Sequence, residues 1–453
     1  METEFSIFNI FTMMGGLAFF LYGMKVMSTG LEKLTGGKLE AALQKMTSNK
    51  IKAILLGMGV TIAIQSSSAM TVMLVGFVNS GLMSLEQTVG VCFGSDIGTT
   101  LTAWILSLVG VESSNPFIKI LKPSSFSPIV ALIGVMMIMI CKKHKKKDIG
   151  NILIGFAILM TGMTLMSGAV APLAESEKFK SLLTAFNNPI LGVLVGAGFT
   201  GIIQSSAASV GILQAFSTTG GLTYGMAIPI IMGLNIGTCV TALISSIGVS
   251  KDAKRVACIH ISIKVIGTLI LLPIVIILQY VIHLDFFNNT IGYLGIAIAH
   301  SVFNLAVTII LLPFSNKLVK LAKWIIKDEE GEKERDTKRT LTGLDDILLK
   351  TPAVAVHSCL NATMQMADLT QETILAALKI LTEYSEESAE NITENEDIID
   401  GFEDKINSYL MKISKSSVTG KDSRSVSKMM HCVGNFERIS DHAVNLVESA
   451  QEM

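Results

Sequence analysis

The sequence predicts an all-α membrane protein: two inverted-topology repeats with re-entrant hairpins and broken helices, followed by a soluble cytoplasmic helical bundle. Three observations point there. Charge is concentrated at one end of the chain, one fixed offset aligns two long segments, and lysines mark alternate faces of a bilayer.

Of the 453 residues, half are hydrophobic and 16% are charged, and the mean hydropathy is +0.56. An ordinary soluble domain carries about 25% charged residues. The deficit lies in residues 1–315, a series of apolar stretches, and ends after Lys317. The chain therefore divides into a membrane domain (1–315), a charged linker (316–340) and a helical bundle (341–453). A net charge of −1 averages two unlike parts, and no nucleic-acid partner is expected. The six cysteines have no paired spacing, so neither a disulfide framework nor a zinc site is indicated. The opening Met-Glu-Thr-Glu-Phe lacks the basic start of a cleaved signal peptide, so the first apolar stretch is expected to stay as a span.

The offset is 139 residues. Gly16, Gly23, Met24 and Ser28 fall on Gly155, Gly162, Met163 and Ser167. Gly57, Thr61, Gln65, Ser66 and Ser67 fall on Gly196, Thr200, Gln204, Ser205 and Ser206, and Gly94, Gly98, Thr99 and Thr102 on Gly233, Gly237, Thr238 and Thr241. Generic apolar sequence would match at Leu, Ile and Val, not at glycine and polar positions, so these are true repeats (about 10–145 and 149–285), followed by an extra span at 291–314.

Lysine placement orients them. Lys142, Lys143, Lys145, Lys146 and Lys147 crowd one short loop, which belongs in the cytoplasm. Loop 30–52 carries Lys33, Lys38, Lys45, Lys50 and Lys52, whereas its counterpart near 172–188 has only Lys178 and Lys180 against Glu175 and Glu177. The same loop thus lies on opposite sides in the two repeats. Spans are expected near 9–29, 88–110, 126–141, 149–171, 226–249, 256–282 and 291–314, with 53–85 and 190–222 as re-entrant hairpins. Three spans per repeat force inversion. The whole is a multi-pass protein of the cell membrane, its N-terminus outside and its C-terminal domain cytoplasmic. Inverted repeats with broken helices are the architecture of secondary transporters.

Gln65-Ser66-Ser67-Ser68 and Gln204-Ser205-Ser206-Ala207 sit in the middle of the two hairpins. Irregular backbone at membrane depth is tolerated only where it lines protein or a watery cavity. Helix N-termini at such turns aim backbone N–H groups at an anion, and carbonyl and hydroxyl oxygens suit sodium. Small residues alone would favour close helix packing, but two such motifs at one position of a repeat argue for a site. Gly94-Ser95-Asp96-Ile97-Gly98-Thr99-Thr100 and Gly233-Leu234-Asn235-Ile236-Gly237-Thr238 form a second pair, expected as helix breaks. The competing reading is close packing, with hydroxyls bonded back to their own helix.

Asp96 differs from its partner Asn235. A charge at the membrane centre costs about 3 kcal/mol even on the lenient insertion scale. Asp96 is either ionised beside sodium, the form favoured here, or protonated and acting like an amide. Lys25 and Lys264 are expected to snorkel from cytoplasmic ends, and His260 and His300 to be packed or hydrogen-bonded.

The paired Gln-Ser-Ser motifs, each followed by a Gly-x-Asn/Asp-Ile-Gly-Thr stretch, resemble the type II sodium-phosphate cotransporter family over residues 10–315. That resemblance implies sodium-coupled transport of inorganic phosphate. The implied phosphate site is Gln65, Ser66, Ser67, Gln204, Ser205 and Ser206, and the implied sodium ligands include Ser68, Thr99, Thr100, Asn235 and Thr238. Ala207 replaces a usual serine and Asp96 a usual asparagine, which bears on how many cations bind.

In the C-terminal part, heptad-like apolar spacing through 362–381, 392–413 and 426–447 predicts helices. Glu396 with Asp400, and Glu437 with Asp441, share a helix face at i and i+4, so each pair can offer two carboxylates to one metal. Glu437-Arg438-Ile439-Ser440-Asp441-His442, with Leu344-Asp345 and Thr351-Pro352 upstream, resembles PhoU-like phosphate-regulatory domains. That resemblance implies divalent or iron ions in the bundle.

The function expected is a sodium-coupled phosphate transporter in the lipid bilayer, with an attached regulatory bundle that engages a cytoplasmic partner or a second copy. The alternatives are a membrane phosphate sensor, or a phosphate exporter with little sodium-driven uptake. No phosphate loop, metalloprotease motif or nucleophile with its base is present, so no enzyme is expected.

Overall fold

The computed structural model describes residues 5–35, 49–79, 83–110, 123–247, 249–327, 344, 346–350, 352–415 and 420–452. Lys38, Lys45, Asp345, Thr351 and linker residues 328–340 lie outside them. The described chain is all-helical apart from one isolated bridge between Thr223 and Thr290.

Its helices are α1 (Ile7–Thr35), α2 (Lys50–Ile64), α3 (Ser67–Asn79), α4 (Leu85–Ser107), α5 (Pro123–Ile140), α6 (His144–Val170), α7 (Pro189–Ile203) and α8 (Ser206–Ser217). Then follow α9 (Tyr224–Gly237), α10 (Cys239–Ser245), α11 (Lys251–Tyr280), α12 (Tyr293–Leu311), α13 (Ser315–Ile325), α14 (Pro352–Ile380), α15 (Glu386–Ser414) and α16 (Gly420–Glu452). Two compact units result: Met1–Val72 with Leu85–Val249 and Lys254–Ile326, and Met73–Ser84 with Ser250–Ala253 and Lys327–Met453.

Among the described residues six helices are long and apolar enough to cross a membrane: Ile7–Leu31, Leu85–Gly110, His144–Glu175, Tyr224–Ser245, Lys251–Tyr280 and Tyr293–Ile325. The seventh expected span, 126–141, is the shorter apolar helix α5. The expected linker also starts too early, because residues 316–325 continue as α13. Large apolar side chains face outward on these helices, Phe8 at 72%, Met139 at 76% and Leu269 at 66% exposure.

The repeat governs the packing. α1 and α6 are equivalent helices, and they pack on one another: Gly16 against Gly162, Gly23 against Gly155 and Gly30 against Asp148. Partner numbers fall as α1 advances, so the pair is antiparallel. A Cβ at Gly23 would lie 2.4 Å from the Leu159 nitrogen, which is why glycine stands there. Phe20, Leu159, Met160, Met163 and Met166 fill the core beneath this seam.

Within each repeat the first hairpin helix runs parallel to the next span. Gly94 of α4 abuts Ile54 of α2, and Gly233 of α9 abuts Val193 of α7 at the same offset. Cβ atoms there would approach the Ile54 and Val193 carbonyl oxygens to 2.0 and 2.1 Å. Near its start α4 meets the start of α2, Gly90 against Lys50 and Ala53.

The expected break in repeat one does not form. α4 continues unbroken through Gly94–Thr100, since its glycines serve helix contact and Thr99 and Thr100 donate to the Ser95 and Ile97 carbonyls of their own helix. In repeat two α9 ends at Gly237 and α10 starts at Cys239, with Thr238 (φ −65°, ψ −16°) between them. In the second unit α14, α15 and α16 form the expected helical bundle around Ala377, Ile380, Ala389, Ile392, Ala443 and Val447.

Candidate functional site

The two Gln-Ser turns fold alike. Gln65 ends α2 and Gln204 ends α7, both in the left-handed region at φ 57° and 56°. Each backbone N–H donates back to a threonine carbonyl, Thr61 or Thr200, at 2.7 Å. Left-handed glutamine is uncommon, and each turn stops one helix so that the next can begin two residues later. Ser66 and Ser205 then cap α3 and α8, accepting from the Ala69 and Ala208 N–H groups at 3.1 and 3.2 Å. The first-turn amides of both helices have no carbonyl within the helix to pair with. Each turn therefore presents amides, serine hydroxyls and a positive helix end, the donor set that suits an oxyanion.

The side chains around the turns differ between repeats. The Gln65 amide donates to the Ile62 carbonyl at 2.6 Å and accepts from Thr102 at 3.0 Å. Gln204 is exposed and Gln65 half-buried. Thr61 donates to Ser95 at 2.8 Å, but the equivalent of Ser95 is Leu234. The Thr200 hydroxyl, fully buried, accordingly has no partner among the described residues. Hairpin one also meets repeat two directly, where Thr241 donates to Ser68 at 3.1 Å.

The expected sodium ligands are dispersed in their bonding. Thr238 donates to the Asn235 carbonyl at 2.7 Å, and the Asn235 amide to that of Ile231 at 3.0 Å. Asn235 Oδ1 lies 3.4 Å from His300 Nε2, and Thr71 lies 3.4 Å from His260 Nδ1, so both histidines are hydrogen-bonded as expected. Ser67 is buried and Ser206 half-buried.

Asp96 has a partner that sequence reasoning misplaces. Lys264 Nζ donates to Asp96 Oδ1 at 2.6 Å, with both side chains 4% exposed. Lys264 does not snorkel. It sits 13 residues into α11, about 20 Å along the axis at 1.5 Å per residue. Removing one partner from such a pair costs about 3–5 kcal/mol, because the other charge is left buried and uncompensated.

In the bundle, Asp400, Glu403 and Glu437 bring carboxylate oxygens within 4.8 Å of one another. Two expected ligands are joined there by Glu403, which the i, i+4 pattern passes over. Glu396 and Asp441 border the group, and burial together with the neighbouring carboxylates of Asp397, Asp400 and Asp441 raises Glu396 above the usual carboxylate range. Burial, Asp441, Glu403 and Asp400 raise Glu437 in the same way. Closely spaced carboxylates fit a hard divalent cation, which would relieve their repulsion.

One family description, Na+/Pi-cotransporter, matches the chain twice, over residues 19–168 and 158–299. The chain belongs to the Na+/Pi-cotransporter family. The two matches begin at the offset of the repeat. A second description, PhoU domain, matches residues 363–450, so this cotransporter-family chain carries a C-terminal PhoU domain. Over 95% of this chain and 76% of the relative it is 26% identical to a provisionally named inorganic phosphate export protein, YjbB, of Escherichia coli (strain K12). It is 27% identical over 68% of its length to YqeW of Bacillus subtilis (strain 168), an uncharacterized protein covered to 96%. It is 33% identical to the human sodium-dependent phosphate transport protein 2B, over 27% of this chain and 18% of the human one. No solved structure matches. The chain is thus a multi-pass membrane protein of a transporter family and not an enzyme.

Proposed function

We propose that this protein carries inorganic phosphate across the cell membrane, with release from the cell as its net direction. The observation that carries the reading is the pair of left-handed Gln65 and Gln204 turns, each opening a capped helix N-terminus at the same place in a repeat. Phosphate is held by Gln65, Ser66 and Ser67 on one side and by Gln204, Ser205 and Ser206 on the other. The antiparallel packing of the equivalent helices α1 and α6 supports inversion of the repeats across the bilayer. Hairpin helices of 15 and 13 residues reach about 20 Å, short of a hydrocarbon core of about 30 Å, which supports re-entry. The lysines at 142–147 support a cytoplasmic position for that loop and for the PhoU domain, where the bundle adjusts transport and holds a divalent or iron ion through Asp400, Glu403 and Glu437.

Outward transport is favoured over sodium-driven uptake because the relative aligned over nearly the whole chain is named for export. The second reading, sodium-coupled uptake with Ser68, Asp96, Thr99, Thr100, Asn235 and Thr238 as cation ligands, draws on the shorter match to the sodium-dependent human protein. Radiolabelled phosphate flux in proteoliposomes, with and without a sodium gradient, separates them. Flux that runs down the phosphate gradient without sodium supports the first, and accumulation driven by sodium supports the second. Absence of any protein-dependent phosphate flux would remove both.

A further inference from the structure

Repeat one carries a charge that repeat two lacks, Asp96 against Asn235. The compensating charge comes from the other repeat, since Lys264 belongs to α11. At the 139-residue offset Lys264 falls on Ser125, so each member of the ion pair is charged where its counterpart is neutral. The two charges form one added unit, built across the repeats.

The unit lies against hairpin one. His260, one turn before Lys264 on α11, meets Thr71 of α3. Ser95, next to Asp96, accepts from the Thr61 hydroxyl, and the Thr61 carbonyl accepts from the Gln65 N–H. An ionised carboxylate in this place attracts a cation, and two sources can supply it: a sodium ion from solution or a side chain of the protein. At 2.6 Å from Asp96 Oδ1, the Lys264 ammonium stands where the cation would stand.

We propose that Lys264 is a tethered counter-ion, occupying at Asp96 the position that a co-transported sodium ion would otherwise take, and is therefore the residue that sets cation coupling in repeat one. A tethered cation neutralises Asp96 without being carried across, so it draws nothing from a sodium gradient at that position. Such a carrier follows its phosphate gradient, which suits release rather than accumulation. This inference rests on the phosphate-transport reading above.

The test compares wild type, Lys264→Met and Lys264→Met with Asp96→Asn in proteoliposomes, as the ratio of radiolabelled phosphate flux in sodium to that in choline. Lys264→Met exposes a lone carboxylate to solution cations and is expected to raise the ratio by about fivefold or more. Adding Asp96→Asn is expected to return it to the wild-type ratio. A ratio in Lys264→Met equal to that of wild type, or a raised ratio persisting in the double variant, overturns the proposal. Should Lys264→Met not insert, radioactive sodium binding to purified wild type and Asp96→Asn decides instead. Equal sodium bound per chain supports the tethered counter-ion, and loss of one bound sodium in Asp96→Asn overturns it. Absence of phosphate flux in wild type would remove the transport reading while leaving the binding comparison to judge Lys264.

Discussion

Gln65 and Gln204, 139 residues apart, hold backbone angles within a few degrees of one another, φ 57° with ψ 26° and φ 56° with ψ 23°. Both are non-glycine residues in a region that costs a side chain about 1 kcal/mol or more. A residue kept in such a conformation twice points to what its side chain does, because glycine would make the same turn without strain.

Backbone and amide can therefore be separated by substitution. Gln65→Gly and Gln204→Gly keep the turn and remove the amide, and each is expected to lower phosphate flux at least tenfold with normal membrane abundance. That corresponds to losing about 1–3 kcal/mol from one unpaired polar contact. Near-normal flux in either glycine variant would exclude the amides from the phosphate site.

Gly94→Ala and Gly233→Ala should destabilise the membrane unit. Their Cβ atoms would meet backbone carbonyl oxygens at 2.0 and 2.1 Å, and the parallel helices would have to separate, at a cost of about 1–3 kcal/mol or more each. Gly59→Ala and Gly198→Ala are the controls, because nothing lies within 4 Å of either added methyl. Thermal denaturation in detergent should show a lower midpoint for the first pair only. Equal midpoints for all four would contradict the close approach.

The orientation of the repeats is expected to place position 145 in the cytoplasm and position 178 outside. Both side chains are exposed, so single cysteines there, in a cysteine-free background, are open to a membrane-impermeant reagent. Labelling of position 178 but not 145 in intact cells is expected. The reverse pattern would turn the molecule over.

The repeat, the paired turns and the helical bundle are legible in the sequence because each rests on residue types that recur at fixed spacing. Gln, Ser and Gly at matched positions have few roles in an apolar stretch. Three features are not legible, each for a tertiary reason. The continuity of α4 through Gly94–Thr100 depends on α2 filling the space beside its glycines. The burial of Lys264 depends on Asp96 arriving from a helix 168 residues earlier. Glu403 already shares a helix face with Asp400 at i and i+3, but that α16 brings Glu437 to the same pair is something no spacing within α15 reveals.

The acidic cluster of the bundle yields a pH-dependent prediction whose sign follows from linkage. Glu396 and Glu437 hold their protons more tightly when folded than when unfolded, because burial and neighbouring carboxylates disfavour their charge. Between the ordinary carboxylate range and their raised values the folded bundle binds more protons than the unfolded chain, so stability falls as pH rises through that window. Below it both states are protonated and the penalty is absent; above it the penalty is complete. A divalent cation that binds the folded form alone stabilises it by mass action, and it binds best where the carboxylates are ionised. Hydrogen exchange of the α15 and α16 amides in the full-length protein should therefore slow on adding manganese at neutral pH, and respond little in acid where the carboxylates hold protons. Glu437→Gln should slow exchange at neutral pH without metal, by removing one repelling charge, and should weaken the response to manganese. Equal protection by manganese in wild type and Glu437→Gln would mean that the ion binds elsewhere in the bundle.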